Sequence, residues 1–166
     1  MEHLRRTAWG RFGGLLLAAV LVQQLVRPAA AAAAAATTAT FADAVAIHQS
    51  GDLDRAWSAY EAVLAQQPTG ESDTAALVLH NMGTIMHARG ELQTAAELIE
   101  RAIYLHPADA TYRNTLGVVQ RSGGDLAGAV ASFEAVVAAA PEMHAAHLNL
   151  ANTLHFYLAD NPEVGE

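Results

Sequence analysis

Cysteine is absent from this 166-residue chain. That absence excludes disulfides, thiolate metal sites, cysteine nucleophiles and a lipid-modified cysteine. Lysine is absent as well, so all nine basic side chains are arginines, set against 17 acids for a formal net charge of −8. The imbalance is uneven. Arg5, Arg6, Arg11 and Arg27 against Glu2 alone give residues 1–28 a charge of +3, which leaves −11 for the remainder. An acidic body without lysine argues against nucleic acid as a partner, because affinity for a phosphate backbone rests on cations that displace counterions. Such a charge also serves simple solubility.

Long apolar runs are equally scarce. The run from Gly13 to Val22 follows Arg5, Arg6 and Arg11 and precedes Gln23, Gln24 and an alanine tract from Ala29 to Ala36. It falls short of the roughly 20 residues that span a bilayer. A basic start, a short apolar core and small residues behind it describe a secretory signal peptide. Residues 1–36 are therefore expected to be a signal peptide or membrane-anchor segment with an alanine-rich linker. The alternatives are an uncleaved tether through residues 13–26 and, from the arginine-rich, acid-poor composition, an organelle transit peptide.

What the chain has in abundance is repetition. Gly51-Asp52-Leu53 with Ala56, Tyr60 and Pro68 is followed by Gly90-Glu91-Leu92 with Ala95, Ile99 and Pro107. Gly124-Asp125-Leu126 with Ala129, Phe133 and Pro141 is the third copy. The second and third copies lie 34 residues apart and the first and second 39 apart. A period of this size marks a solenoid. After each phrase apolar residues recur at one helical spacing, as in Leu92, Ala95, Ala96, Ile99, Ala102 and Ile103. Another helical stretch precedes it, with Leu79, Met82, Gly83 and Met86 in the slots that Arg113, Leu116, Gly117 and Gln120 fill next. The glycine permits a tight reversal between paired helices. The acid after it sits at a helix start, where the macrodipole favours it, and the proline ends the second helix. Gly83, Gly117, Ala95 and Ala129 let paired axes approach, with Ile99 or Phe133 filling the space beside them. The five extra residues between the first two units fall in a polar loop, Gln66 to Asp73.

These residues resemble the tetratricopeptide repeat family. Leu116-Gly117, Gly124-Asp125, Ala129, Phe133 and Pro141 match its pattern in residues 110–143, and Met82-Gly83, Gly90-Glu91, Ala95, Ala102 and Pro107 match it in 76–109. Residues 37–70 are a weaker copy with Asp43 where a large apolar residue is usual, and 144–158 supply a partial or capping helix through Leu150, Ala151 and Leu154. The resemblance implies an all-α fold, a right-handed α-solenoid of helix-turn-helix units over 37–158, followed by an acidic tail at 159–166. It also implies a protein-binding scaffold whose first helices line a concave groove.

Two registers stand out on those first helices. Asn81 and Asn149 share a slot with Thr115 between them, and the resemblance extends to O-linked N-acetylglucosamine transferases, whose stacked asparagines hold an extended peptide backbone. An amide can donate to and accept from a peptide bond; asparagine is also common on any helix surface. His48, His87, Arg121 and His155 share a second slot near the helix ends. There they would favour the helix dipole or form an acid-sensitive line that grips anionic groups. The candidate partner-binding residues are thus Leu77, His80, Asn81, Thr84, His87, Asn114, Thr115, Arg121, Asn149, Asn152 and His155. Without lysine, the family's two-carboxylate clamp has too few cations in Arg113 and Arg121.

His144 and His147 lie three apart but lack a carboxylate to complete a metal site. No Ser/His/Asp order, phosphate-cradling loop or paired-carboxylate pocket is present, so the expectation is no catalytic residue, no cofactor and no enzyme activity. The leading function is a module holding a protein or peptide partner in its groove. The alternatives are a truncated substrate-recognition region of a transferase of the kind just named, and a structural assembly factor. The sequence leaves the oligomeric state open.

Overall fold

The computed structural model describes residues 40–67 and 72–161. The expected export or tethering role of residues 1–36, the closing role of Pro68 and most of the acidic tail lie outside them. Among the described residues there are seven α-helices and no strand: α1 (Phe41–Gln49), α2 (Leu53–Ala65), α3 (Asp73–Ala88), α4 (Leu92–Leu105), α5 (Ala110–Ser122), α6 (Leu126–Ala139) and α7 (His144–Asp160). They form three hairpin pairs, α1/α2, α3/α4 and α5/α6, with α7 packed on α6. This is the all-α helix-turn-helix solenoid. No helix of the described residues is long and apolar enough to cross a membrane.

The repeated phrase is a set of chain reversals. Gly51, Gly90 and Gly124 have φ of 85°, 81° and 83°, the left-handed region that costs a residue with a Cβ. Around Gly90 the N–H of Glu91 reaches back to the carbonyl of Met86 at 2.9 Å, and that of Gly90 to His87 at 3.0 Å. Asp125 to Gln120 and Gly124 to Arg121 repeat the pattern at 3.0 and 3.1 Å. These bonds satisfy the last carbonyls of α3 and α5, as a glycine-terminated helix requires. The acids then start the next helix: Asp52 accepts from the N–H of Arg55 at 3.1 Å and Asp125 from that of Gly128 at 2.9 Å. Glu91, one methylene longer, makes no such side-chain bond. Pro107 and Pro141 follow α4 and α6 by two residues.

Pairing depends on one contact per hairpin. A Cβ on Gly83 would lie 2.6 Å from Ile99 Cγ1, and one on Gly117 2.6 Å from Phe133 Cε1. Ala44 and Tyr60 hold the equivalent positions in the first pair and are fully buried, as are Ile99 and Phe133. Asp43 has a local explanation: it and Thr40 form a reciprocal cap, each side chain accepting from the other's backbone N–H at 3.2 Å. The Thr40 hydroxyl also donates to Asp43 Oδ2 at 2.6 Å, and that bond, with the one from the Thr40 backbone N–H, holds the Asp43 carboxyl below the usual range. The polar residue thus starts a short helix where an apolar one would have extended the core.

The junction between α2 and α3 is the sparsest between consecutive helices. It lies where the five extra residues fall, and an Arg89–Asp54 ion pair and the Arg89 guanidinium 5.9 Å above the Trp57 ring bridge it. Ser72 caps α3 by accepting from Ala75 N–H at 3.1 Å and donates to Gln67 Oε1 at 2.8 Å. At the other end, fully buried Ala146 and Thr153 seat α7.

Candidate interaction groove

First helices pack directly on first helices, α3 on α5 and α5 on α7, whereas among the described residues no comparable packing joins α2, α4 and α6. The array over α3–α7 therefore turns with α3, α5 and α7 on its inner side. The candidate residues all sit on these three helices.

Three of the side-chain pairs that bridge neighbouring inner helices are 35 residues apart, one more than the period. His80 Nε2 lies 3.0 Å from Thr115 Oγ1, His87 Nε2 2.9 Å from Ser122 Oγ, and Asn149 Nδ2 donates to Asn114 Oδ1 at 3.2 Å. The hydroxyls decide the histidine tautomers. Thr115 spends its one hydrogen on the carbonyl of Thr111 at 2.9 Å, and Ser122 spends its own on Val118 at 2.9 Å. Each can then only accept, so both histidines donate from Nε2.

The asparagine slot is consequently not a ladder of three equivalent groups. Asn81 donates to the carbonyl of Leu77 at 2.9 Å, Thr84 donates to that of Asn81 at 2.7 Å, and Thr115 faces His80. Asn149 bridges between Asn114 and Arg121, whose Nη1 lies 3.5 Å from Asn149 Oδ1 and 3.4 Å from Thr153 Oγ1. Asn152 is exposed, and Leu77 is 38% exposed.

Nor do the four members of the histidine slot share one environment. His48 sits edge-on to Tyr60 with ring centroids 5.9 Å apart and its Nδ1 3.3 Å from the Tyr60 hydroxyl. Burial there disfavours its protonated form. His87 is half-buried against Ser122, Arg121 is half-buried above the Phe133 ring at 5.9 Å, and His155 is exposed with its ring edge-on to Phe156. His80, outside that slot, packs against Tyr112 with centroids 4.8 Å apart. Burial pushes its pKa down, partly offset by the carboxylate of Asp109. Burial, with Asp109 and Asp73 nearby, pushes the Tyr112 phenol up.

Ser122 and Thr153, and the exposed Leu148 and Phe156 on α7, were not among the sequence candidates. Reading the neighbouring slot, at period plus one, finds Ser122 beside Arg121 and Phe156 beside His155. His147 donates from Nε2 to the carbonyl of Pro141 at 2.9 Å, and among the described residues no cluster of three potential metal ligands occurs.

A tetratricopeptide repeat family model matches residues 87–144 and 116–155. No curated protein sequence matches the chain. Among solved structures, MamA superposes with a TM-score of 0.62 at 19% identity over 69% of this chain, which spans 64% of the MamA chain. The first tetratricopeptide domain of Spaghetti (RPAP3), bound to the HSP90 peptide SRMEEVD, gives 0.62 at 15% identity, covering 69% of this chain and 86% of that one. The O-GlcNAc transferase of Thermobaculum terrenum gives 0.61 at 30% identity over 68% of this chain but only 21% of its own. The matched segment and the hairpin glycines agree, and the helix-turn-helix units over residues 87–155 are tetratricopeptide repeats.

Proposed function

We propose that the protein is a non-enzymatic interaction module that holds a peptide segment of a partner along α3, α5 and α7. One observation carries this reading: the three inner helices pack side by side into one face that mixes amides, hydroxyls and exposed Leu77. Such a face can bond a peptide backbone and still shelter apolar side chains. The domain of Spaghetti that shares the fold carries a bound peptide. The transferase alternative is less favoured, since the neighbours with bound peptides are tetratricopeptide domains matched over most of their own length. Export or tethering through residues 1–36 remains part of the proposal; amino-terminal sequencing of the mature protein tests it, and an intact start at Met1 in a soluble form refutes it.

The groove itself is tested with the full chain carrying a photocrosslinking residue at Thr84 or Asn152, and in separate variants at Glu97 or Glu134 on the second helices. Partner crosslinks are expected from the first pair only. Crosslinks confined to Glu97 and Glu134 would move the binding face to the outer helices.

A further inference from the structure

The last helix departs from the repeat. Counting by the period of 34, the hairpin glycine of the next unit falls at position 158, where the sequence has leucine. α7 therefore runs on, 17 residues against the 13 of α5, and stops at Asn161 with φ of −135° instead of a left-handed reversal. Leu148 takes the slot of His80 and Asn114, which on α3 and α5 bond across to the following helix. Ala151 takes the slot of Gly83 and Gly117, on which Ile99 and Phe133 close.

Leu148, Ala151, His155 and Leu158 are spaced three, four and three residues apart, one stripe along the helix. The stripe points away from Ala146 and Thr153, the fully buried residues that seat α7. Leu148 is 63% exposed and Leu158 39%, and Ala151 and His155 are exposed as well. Between His144 and Ala159 the helix has no aspartate, glutamate, lysine or arginine. A solenoid end needs a polar outer face to stay in solution. This one is neutral and apolar on an otherwise charged protein, which marks a contact surface.

Leu158 in the glycine slot removes the reversal that would bring a second helix of the same unit back onto α7. A lipid surface is disfavoured, because α7 offers no lysine or arginine to anionic headgroups and Asp160, Glu163 and Glu166 follow in the sequence. A second copy of the chain fits. Beyond residue 28 five arginines face sixteen acids, so most approaches of two copies set carboxylate against carboxylate. The stripe avoids that repulsion. Laid antiparallel about a two-fold axis at the level of Thr153, Leu148 falls opposite Leu158 of the second copy and Ala151 opposite His155. Small then meets large, and the helix axes can approach. The same direction sets His144 and His147, at the start of one helix, beside the end of the other, where the sequence turns acidic. Parallel pairing would bring the two acidic ends together.

We infer that the outer stripe of α7 is a self-association surface, through which two copies pair antiparallel into a two-fold dimer. Two helices of this length cover less than the roughly 1,600 Å² of a standard interface, so the dimer is weak, with Kd on the order of 10–100 µM. Asn149 turns the other way, towards Asn114 and Arg121. Of the groove candidates the dimer covers His155, and it does not depend on the peptide-binding reading.

The test is sedimentation equilibrium of the full chain over concentrations that bracket that Kd. The wild type should rise from the mass of one copy towards that of two. Leu148→Glu and Leu158→Glu should each weaken the dimer at least about tenfold, whereas Tyr104→Glu, on α4 and 80% exposed, should leave it unchanged. Both leucines are exposed in the single copy, so melting curves of the dilute variants should match the wild type. The double variant Leu148→Glu with Leu158→Arg reads the orientation. An antiparallel pair sets each glutamate against an arginine, so this variant should dimerise more tightly than Leu148→Glu or Leu158→Arg alone. A single-copy mass throughout, no gain in the double variant, or association that none of the variants changes overturns the inference. So does a wild type that stays single but binds phosphatidylserine vesicles through Leu148, with binding lost in Leu148→Glu; the stripe would then be a lipid face.

Discussion

Gly117 and Phe133 offer the sharpest check on the packing argument. A methyl group placed on Gly117 would lie 2.6 Å from Cε1, 2.8 Å from Cζ and 2.9 Å from Cδ1 of the Phe133 ring. Phe133 is 0% exposed, so the ring has no solvent to swing into. Two effects oppose one another in Gly117→Ala. Alanine gains about 1 kcal/mol over glycine inside a helix, whereas overpacking a filled core costs roughly 1–3 kcal/mol. Three carbons of one confined ring lie far inside the roughly 3.5–4.0 Å of favourable contact, which selects the upper part of that range. The net expectation is a loss of about 1–2 kcal/mol, or roughly 3–8 °C in Tm for a domain of this size.

The assay is thermal and urea unfolding of a double-mutant cycle. Phe133→Leu alone leaves a void and destabilises. In the Phe133→Leu background the ring is gone, so Gly117→Ala should become neutral or stabilising, a coupling of about 1–3 kcal/mol. The reasoning fails if Gly117→Ala raises Tm, because helix propensity would then have won. It fails equally if the two substitutions add within about 0.5 kcal/mol.

The caps, the reversals and the buried histidine give three further tests. Asp125→Ala removes the bond to Gly128 N–H and should cost about 1 kcal/mol in urea unfolding, whereas Glu91→Ala should stay within about 0.5 kcal/mol; equal losses would credit the helix dipole instead. Gly124 has φ of 83° with nothing within 4 Å of where a Cβ would stand, so Gly124→Ala should cost about 1–2 kcal/mol from backbone strain alone and Gly124→Asn less. His80 has its pKa held below the ordinary 6.5 by burial. The unfolded chain therefore takes the proton first as pH falls through 6.5, and the stability present above that pH is lost until the folded value is passed. His80→Gln keeps a donor for Thr115 and should show a shallower fall in urea midpoint between about pH 7.5 and 5; parallel curves would remove His80 as the cause.

How much of this was legible in the sequence differs between architecture and groove. The hairpin glycines, the Gly83 and Gly117 contacts and the second helices were readable, because each depends on a local conformation or on one volume that recurs at every repeat. Asp43 read as a defect, since its role as a cap depends on Thr40 and not on the repeat register. Glu91 and Asp125 read as equivalent acids, and one methylene separates a carboxyl that caps from one that does not. The period itself misled the reading of the inner face. Residues sharing a slot are 34 apart, but three of the pairs that meet are 35 apart, so these contacts join neighbouring slots: His80 with Thr115, His87 with Ser122 and Asn114 with Asn149.

That stagger changes what the inner face can recognise. A slot of aligned amides would offer donor and acceptor together at each repeat and take a peptide backbone without regard to its side chains. Joining adjacent slots lets one residue set the polarity of the next, and the outcome then depends on where the register is broken. Arg121 stands where His87 and His155 stand in the flanking units. A neutral imidazole there could accept from Asn149 as readily as donate to it, leaving the amide free to turn. The guanidinium cannot accept, so it turns Asn149 and, through it, Asn114. Residues that recur therefore build the hairpins, and a single departure from recurrence gives the face its direction.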